Sequence, residues 1–474
     1  MSRPSLRGLV ACSLLALIAG ATPAGVASAA PAAGAGGAGD SYFSRDGNGG
    51  YDVAHYDIHD TYRIHRDRLR GWTRVTATAT QDLSRFDLDL VLDASSVTVD
   101  GAPASFTKPN RHELVVTPAK PIKRNRTFQV TVRYAGRPGH LGYGRERPFL
   151  REGGEALATN EPHVAPWWFA ANDHPSDKAT FRVSIRVPRG NQVFGNGELV
   201  SRSYGDTWTT WTWRIDQRIT TYLAYFAAGR YRWETGTTDG LPYWRAVSRR
   251  LPRADQDKAM RALRRTSAIV AWESGQFGAY PFTSTGGVVT GIYTGFALEN
   301  ASRPMYPWWG SVNGAVNVEV HELAHQWFGD SVSVSRWRDI WLNEGFASWV
   351  EWRYAEAHGG PTAQSRLRNG YRSYPADDPM WRVRLDDPGP QRMFDNAIYQ
   401  RGAMALQALR HRIGRAAFGT LLRTWVQQHR DGNASVQEFE DLAGQVSGRD
   451  LSGFFDAWLH ARSKPARTAA NGLG

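Results

Sequence analysis

The sequence predicts an α+β protein in which an antiparallel β domain is followed by a mainly helical domain. Between residues 51 and 235, apolar and polar residues alternate along several short stretches, for example in the segment 128–134. Such alternation buries one face of a strand and exposes the other, which is typical of a half-buried antiparallel sheet. After Gly240 the apolar spacing changes to that of helices. We therefore assign residues 51–235 to the β domain and residues 236–474 to the helical domain.

The first 29 residues have the organisation of a secretory signal peptide. Arg3 and Arg7 precede the apolar run 9–21, and Ala27-Ser28-Ala29 supplies a small-residue cleavage motif. The apolar run is too short to span a bilayer comfortably. We expect a secreted, extracellular protein that is cleaved near Ala29 and has no transmembrane segment in the mature chain.

Composition and charge exclude several function classes. The chain is 41% hydrophobic and 22% charged, which is a globular composition. Cys12 is the only cysteine, and cleavage of the signal would remove it, so thiol nucleophiles and Cys-based zinc sites are excluded. The formal charge of +12 is scattered and no recognition motif accompanies it, so we expect no nucleic-acid partner. Residues 30–50 are rich in Ala and Gly and predict a flexible leader.

A metal-binding pattern occurs in the helical half of the chain. His321, Glu322 and His325 form the sequence H-E-x-x-H. On a helix, residues four apart lie on the same face, so both imidazoles can bind one zinc ion while Glu322 approaches the water that the metal holds. The pattern is short, and two surface histidines beside a salt-bridging glutamate stay an alternative.

A third ligand candidate, Glu344, begins a second helical pattern after a loop long enough to reverse the chain direction. Two histidines and one glutamate are a known ligand set for catalytic zinc, which keeps a fourth position open. The alternative is a carboxylate favoured by the positive end of the helix dipole. Glu351 lies two turns further on the same face and could accept the second ring N–H of a ligand histidine, or form a surface salt bridge.

These segments resemble the gluzincin aminopeptidases, the family of membrane alanyl aminopeptidase and leukotriene hydrolase. The resemblance rests on the segment 321–330, on Trp341-Leu342-Asn343-Glu344-Gly345, and on the eighteen residues between His325 and Glu344. It extends from about Tyr51 to His460. It implies a thermolysin-like catalytic domain with one Zn²⁺ ion, in a secreted bacterial short form that lacks the family's C-terminal helical domain and has an open cleft.

The same resemblance implies a substrate site. The family's G-A-M-E-N loop corresponds to residues 296–300, where Glu299 falls on the glutamate that binds the free amine and Ala297 on a residue whose backbone meets the substrate. The family's Q-x-E-P stretch corresponds to residues 159–162 and supplies Glu161 as a second amine anchor. Phe296 and Thr159 depart from these motifs. Tyr399 falls on the family's catalytic tyrosine.

The predicted reaction is metal-assisted hydrolysis of the N-terminal peptide bond of peptides with a free N-terminus. Glu322 acts as general base and Tyr399 stabilises the oxyanion, while Glu299 and Glu161 set the register. Three alternatives stay open: a zinc metallo-endopeptidase, an epoxide hydrolase activity, and a catalytically silent peptide-binding protein.

Overall fold

The computed structural model describes residue 1 and residues 30–144, 146–308 and 316–474. Residues 31–474 form one compact unit. The predicted signal peptide and its cysteine lie outside the described residues, so the expected export stays a prediction. No helix in the described part of the chain is long and apolar enough to cross a membrane.

The strands are concentrated in the first half of the chain. In chain order they are β1 Ala32–Ala33, β2 Tyr51–Arg63, β3 Arg68–Ala79, β4 Leu83–Asp89, β5 Asp93–Val99, β6 Ala102–Pro103, β7 Ser105–Thr107, β8 Glu113–Thr117, β9 Thr127–Gly136, β10 Phe149–Glu152, β11 Glu155–Ala158, β12 Ala179–Pro188, β13 Gln192–Gly195, β14 Glu198–Tyr204, β15 Trp208–Ile219, β16 Phe226–Gly229, β17 Tyr231–Thr238, β18 Leu241–Ser248, β19 Thr285–Thr290, β20 Met305–Pro307, β21 Val332–Val334 and β22 Gly432–Ala434.

An eight-stranded sheet with the order β14-β15-β12-β2-β3-β9-β5-β6 is the centre of the β half. Its strands are antiparallel except that β12 runs parallel to β2. Alternate residues face a common core, where the rings of Tyr56 and Phe181 stack with centroids 4.9 Å apart. The predicted order of a β-rich half followed by a helical half is therefore confirmed.

Smaller sheets surround the large one. They have the orders β1-β4-β8-β7, β10-β11-β16-β13 and β17-β18-β19-β20, and β21 pairs with β22. The third is mixed, since β17 and β18 are antiparallel while β19 and β20 are parallel to β18. The boundary between residues 235 and 236 stays a prediction, although β17 continues across it.

The segment 30–50 is packed, so the prediction of a flexible leader was wrong. Its backbone joins β4 through β1, and Asp40, Asp46 and Asn48 are buried. Asp40 Oδ2 accepts the backbone N–H of Trp337 at 3.0 Å. The segment is held in place by buried polar side chains and not by apolar ones. A sequence pattern reveals buried apolar side chains only, and for this reason the composition was misleading.

The second half supplies the helices. They are α1 Arg253–Arg264, α2 Thr266–Phe277, α3 Val316–Ala324, α4 Trp341–Ala357, α5 Ala363–Ser373, α6 Asn396–Ile413, α7 Arg415–Gln428, α8 Val436–Ser447 and α9 Ser452–Phe455, the last followed by a π-helical turn at Asp456–His460.

Helix α4 packs between α3 and α6. The contact between α4 and α6 is a backbone contact, because a Cβ atom on Gly402 would lie 2.8 Å from the Cα atom of Gly345. Only glycine permits this approach. It brings Tyr399, one turn earlier on α6, beside the start of α4.

Candidate active site

The three predicted ligands meet between α3 and α4. His321 Nε2 lies 3.1 Å and His325 Nε2 lies 3.5 Å from Glu344 Oε2. All three donor atoms lie within 4.8 Å of one another. Donors bound to zinc at about 2.0–2.1 Å in tetrahedral geometry are separated by about 3.3 Å. The donor set and its spacing therefore fit one zinc ion.

Each imidazole is oriented by a hydrogen-bond acceptor at its Nδ1 atom. His321 Nδ1 contacts Glu351 Oε1 at 2.8 Å, and His325 Nδ1 contacts the carbonyl oxygen of Phe328 at 3.0 Å. Acceptors at these positions hold the proton on Nδ1 and leave Nε2 free to bind a metal. The sequence left two roles for Glu351, a contact with a ligand histidine or a surface salt bridge, and the structure shows the contact with His321.

A cavity of about 450 Å³ opens above the metal ligands and collects the predicted site residues. It is lined by Glu161, Ala297, Glu299, His321, Glu322, His325, Glu344 and Tyr399, and in addition by Asn160, Phe296, Leu298, Val318, Glu351 and Phe394. All eight residues assigned from the sequence thus line one cavity. The apolar side chains Val318 and Phe394 were missed, because they carry no motif.

Glu299 is a buried carboxylate, and Glu161 is half-buried with its Oε1 atom out of contact with solvent. Glu299 Oε1 accepts the hydroxyl of Tyr222 at 3.1 Å, whereas Glu161 Oε1 has no hydrogen-bond partner among the described residues. Burial raises the pKa of both groups, with the charge of Glu299 raising that of Glu161 and the charge of Glu344 raising that of Glu299. A cation between them would offset this cost.

Two side chains to which the sequence assigned no role, Gln326 and Thr159, position the loop of Glu299. The amide of Gln326 donates to the carbonyl oxygen of Glu299 at 2.7 Å and accepts the N–H of Ser302 at 2.7 Å. Thr159, which replaces the family's glutamine, donates its hydroxyl to Asn300 Oδ1 at 2.9 Å. The loops of Glu161 and Glu299 are thereby joined to each other and to the metal-binding segment.

The Phe296 departure from the family motif is accommodated by the loop backbone. Gly295 has a φ of +80°, and the Thr294 hydroxyl donates to the carbonyl oxygen of Phe296 at 2.5 Å. Leu298 then pairs through its backbone with Met305, at 2.9 and 2.7 Å. Glu299 is consequently held directly after a β-bridge.

Glu322 and Tyr399 face the same cavity with raised pKa values. Burial raises the pKa of Glu322 to about 8, and the charge of Glu299 adds to this while His321 opposes it. Burial and the charge of Glu344 raise the pKa of Tyr399 well above its usual range, so its phenol stays a hydrogen-bond donor. Five glutamates beside two imidazoles make the cavity a site for cations.

The fold and the site together define a class of protein. It is an α+β protein whose metal centre is formed by the two histidines of the H-E-x-x-H motif and by a glutamate on the following helix, α4. Residues 53–223 match the model of the Peptidase M1 N-terminal domain, and residues 310–458 match that of the Peptidase family M1 domain. The chain belongs to peptidase family M1, which confirms the resemblance drawn from the motifs.

Several relatives are similar over much of this chain. Probable M1 family aminopeptidase 2 of Encephalitozoon cuniculi is 27% identical over 64% of the chain and 38% of its own length. Aminopeptidase N of Streptomyces lividans is 27% identical over 61% of the chain and 36% of its own length. The chain thus spans less than two fifths of these relatives.

Solved structures match more completely. A mutant of the M1 zinc metallopeptidase from Deinococcus radiodurans, bound to a Tyr-Ser-Ala substrate, superposes with a TM-score of 0.80 at 28% identity. The match covers 91% of this chain and 99% of that one. A two-domain M1 zinc metallopeptidase mutant bound to L-arginine superposes with a TM-score of 0.76 at 29% identity, over 87% and 94% of the two chains.

Proposed function

We propose that the chain is a zinc metallo-aminopeptidase that hydrolyses the N-terminal peptide bond of peptides. One observation carries the proposal: two carboxylates, the half-buried Glu161 and the buried Glu299, line the same cavity as the ligands His321, His325 and Glu344. A metal centre alone would fit any zinc peptidase. Carboxylates that require a cation favour a substrate with a free ammonium group.

The bound zinc ion would polarise the scissile carbonyl and lower the pKa of a water molecule toward neutrality. The carboxylate of Glu322 accepts the proton of that water and later donates it to the leaving amine. A raised pKa suits both steps, because a group that titrates near neutrality accepts and releases a proton at similar cost.

Glu161 and Glu299 determine which bond is hydrolysed. An ammonium held between them leaves the first peptide bond of the substrate as the one nearest to the ligand cluster. A substrate without a free amine would leave these carboxylates unpaired, which costs about 1–3 kcal/mol for each group, and more when it is charged. This difference favours an aminopeptidase over a metallo-endopeptidase.

Tyr399 lies on α6 and is the remaining side chain of the site to which we assign a role. Its ring lies 6.0 Å from that of His321, and its phenol is kept protonated by the surrounding charge. We assign it the role of donating a hydrogen bond to the oxyanion that forms during attack. One such donor contributes about 2.7–4 kcal/mol in comparable hydrolases.

The decisive experiment compares a tripeptide amide with its N-acetylated form, using the zinc-loaded full chain. We expect hydrolysis of the free peptide alone, with residues released one at a time from the amino terminus when products are followed by mass spectrometry. Equal hydrolysis of both forms would support the endopeptidase instead. Glu322→Gln should abolish hydrolysis while keeping the metal; a catalytically silent binding protein would show no hydrolysis in either variant.

The export of the protein is a separate proposal. It is supported by the charge, apolar run and cleavage motif of residues 1–29. Expression of the full chain in a bacterial host should yield extracellular protein that begins near Ala30 on N-terminal sequencing. Protein that stays in the cells with an intact N-terminus would contradict it.

A further inference from the structure

A second group of metal-ligand side chains lies in the β half. Asp89 ends β4, and His112 and Glu113 stand at the start of β8. Their donor atoms lie within 4.8 Å of one another. Within residues 30–144, 146–308 and 316–474, this is the one such group besides the ligands of the active site, and none of its members lines the active-site cavity.

The donor spacing fits a metal site, and one of its contacts, between His112 Nδ1 and Glu113 Oε1, is also within hydrogen-bond distance. His112 Nδ1 lies 3.2 Å from Glu113 Oε1 and 3.5 Å from Asp89 Oδ1. These distances are close to those in the active site, where His321 Nε2 and His325 Nε2 lie 3.1 and 3.5 Å from Glu344 Oε2. Charge-assisted hydrogen bonds are shorter, about 2.7–2.9 Å. Donors around a tetrahedral zinc ion are about 3.3 Å apart.

Shorter imidazole–carboxylate contacts occur in the same structure. His163 Nδ1 lies 2.8 Å from Glu146 Oε2, and His140 Nδ1 lies 2.6 Å from Asp67 Oδ2. Wider contacts also occur, since His174 Nε2 lies 3.2 Å from Asp40 Oδ2, so the distances alone do not distinguish a metal site from an ion pair and the unpaired oxygens of the group carry the distinction.

The group is buried and its oxygens are incompletely satisfied. Asp89, His112 and Glu113 are 0%, 2% and 6% exposed. Asp89 Oδ1 and Glu113 Oε2 have no hydrogen-bond partner in the described part of the chain. Such atoms are normally paired, so an unpaired buried oxygen indicates an ion or water that completes its shell.

Backbone and side-chain contacts hold the donors in place. Asp89 Oδ2 accepts the N–H of Asp173 at 2.6 Å and the amide of Asn48 at 3.3 Å, and this leaves Oδ1 for the group. Asn110 Oδ1 accepts the N–H groups of His112 and Glu113, both at 2.8 Å. The arrangement is thus preorganised before any ligand arrives.

The local charge also favours a cation. Asp89 and Glu113 are two buried carboxylates beside one imidazole, and Asp46 and Asp173 also act on the group electrostatically. A divalent ion would offset this concentration of negative charge.

We propose that Asp89, His112 and Glu113 bind a second divalent transition-metal ion, Zn²⁺ by the chemistry of the donors, that holds β4 to the start of β8. One imidazole with two carboxylates suits zinc better than Ca²⁺ or Mg²⁺, which prefer oxygen donors alone. His112 also lines a cavity of about 340 Å³ together with Asp46 and His163.

The test measures zinc per chain by mass spectrometry of the full chain after zinc loading and desalting. Because both donor sets bind with structural-site affinity, we expect about two zinc ions in the unaltered chain and about one in His112→Gln. His140→Gln is the matched control, since it removes an exposed imidazole that pairs with a buried carboxylate. It should retain about two ions.

A variant that leaves the second group intact keeps the test decisive when His112→Gln does not fold. His325→Ala combined with Glu344→Gln removes the active-site ligands, and the folded product should still bind about one zinc ion per chain. A zinc-free double variant would overturn the proposal, and His112 would then be an imidazolium between two carboxylates. The result is independent of peptidase activity, so it is separate from the test of the proposed function.

Discussion

Replacing Glu299 by Gln separates amine recognition from the chemical step. The substitution keeps the shape of the side chain and its contact with Tyr222 but removes the negative charge from a group that is 2% exposed. A hydrogen bond to a charged group contributes about 1.5–3 kcal/mol. Since each 1.4 kcal/mol is a factor of about ten, kcat/KM for free-amine substrates should fall about 10- to 150-fold.

The assay follows hydrolysis of aminoacyl p-nitroanilides, with zinc content measured in parallel. Glu273→Gln is the matched control, because Glu273 is a fully buried carboxyl on α2 whose pKa burial raises well above its usual range, and it does not line the cavity. We expect the control to retain its kcat/KM. An unchanged kcat/KM in Glu299→Gln, or an equal fall in both variants, would refute amine capture by this residue.

The raised pKa of Glu299 also fixes the sign of a pH effect. An ammonium binds the ionised carboxylate, and the ionised form is lost as pH falls through the raised pKa. Selectivity for free-amine over N-acetylated substrates should therefore weaken on acidification. A selectivity ratio that stays constant from neutral pH to pH 5 would contradict this expectation.

Three further substitutions test the remaining parts of the site. Tyr399→Phe should lower kcat by about 100- to 1,000-fold with KM and zinc content unchanged in steady-state kinetics, because it removes one oxyanion donor; a change confined to KM would contradict that role. Glu351→Gln should weaken zinc binding by about 10- to 100-fold in chelator competition, since it removes the negative charge from the acceptor of the His321 Nδ1–H; unaltered zinc affinity would show that this charge does not support the ligand. Gly402→Ala places a Cβ atom 2.8 Å from Gly345 and should destabilise the chain by about 1–3 kcal/mol in urea unfolding, whereas an unshifted midpoint would show that the helices can separate freely.

The metal ligands could be predicted from sequence because their chemistry constrains their spacing. Two imidazoles four residues apart share a helix face, and few patterns other than a zinc site place a glutamate helix directly after them. Glu161 and Glu299, which we propose bind the free amine, were located by resemblance, and the fold brings them to the same cavity. These predictions depended on local periodicity and on short motifs.

Contacts between segments far apart in the chain could not be predicted in this way. Tyr222, Gln326 and the close approach of Gly345 to Gly402 become recognisable only when the helices and loops are assembled. The segment 30–50 was misjudged because its anchors are polar residues in a stretch of Ala and Gly. Burial of polar side chains leaves no periodic signal, since each one depends on a specific partner.

His321, His325 and Glu344 are expected to hold one zinc ion beside Glu161 and Glu299. Anomalous diffraction at the zinc absorption edge, from crystals of the full chain, would locate that ion. We expect a peak about 2.0–2.1 Å from His321 Nε2, His325 Nε2 and a carboxylate oxygen of Glu344. The absence of a peak there in zinc-loaded crystals, or a peak coordinated by other residues of the cavity, would contradict that expectation.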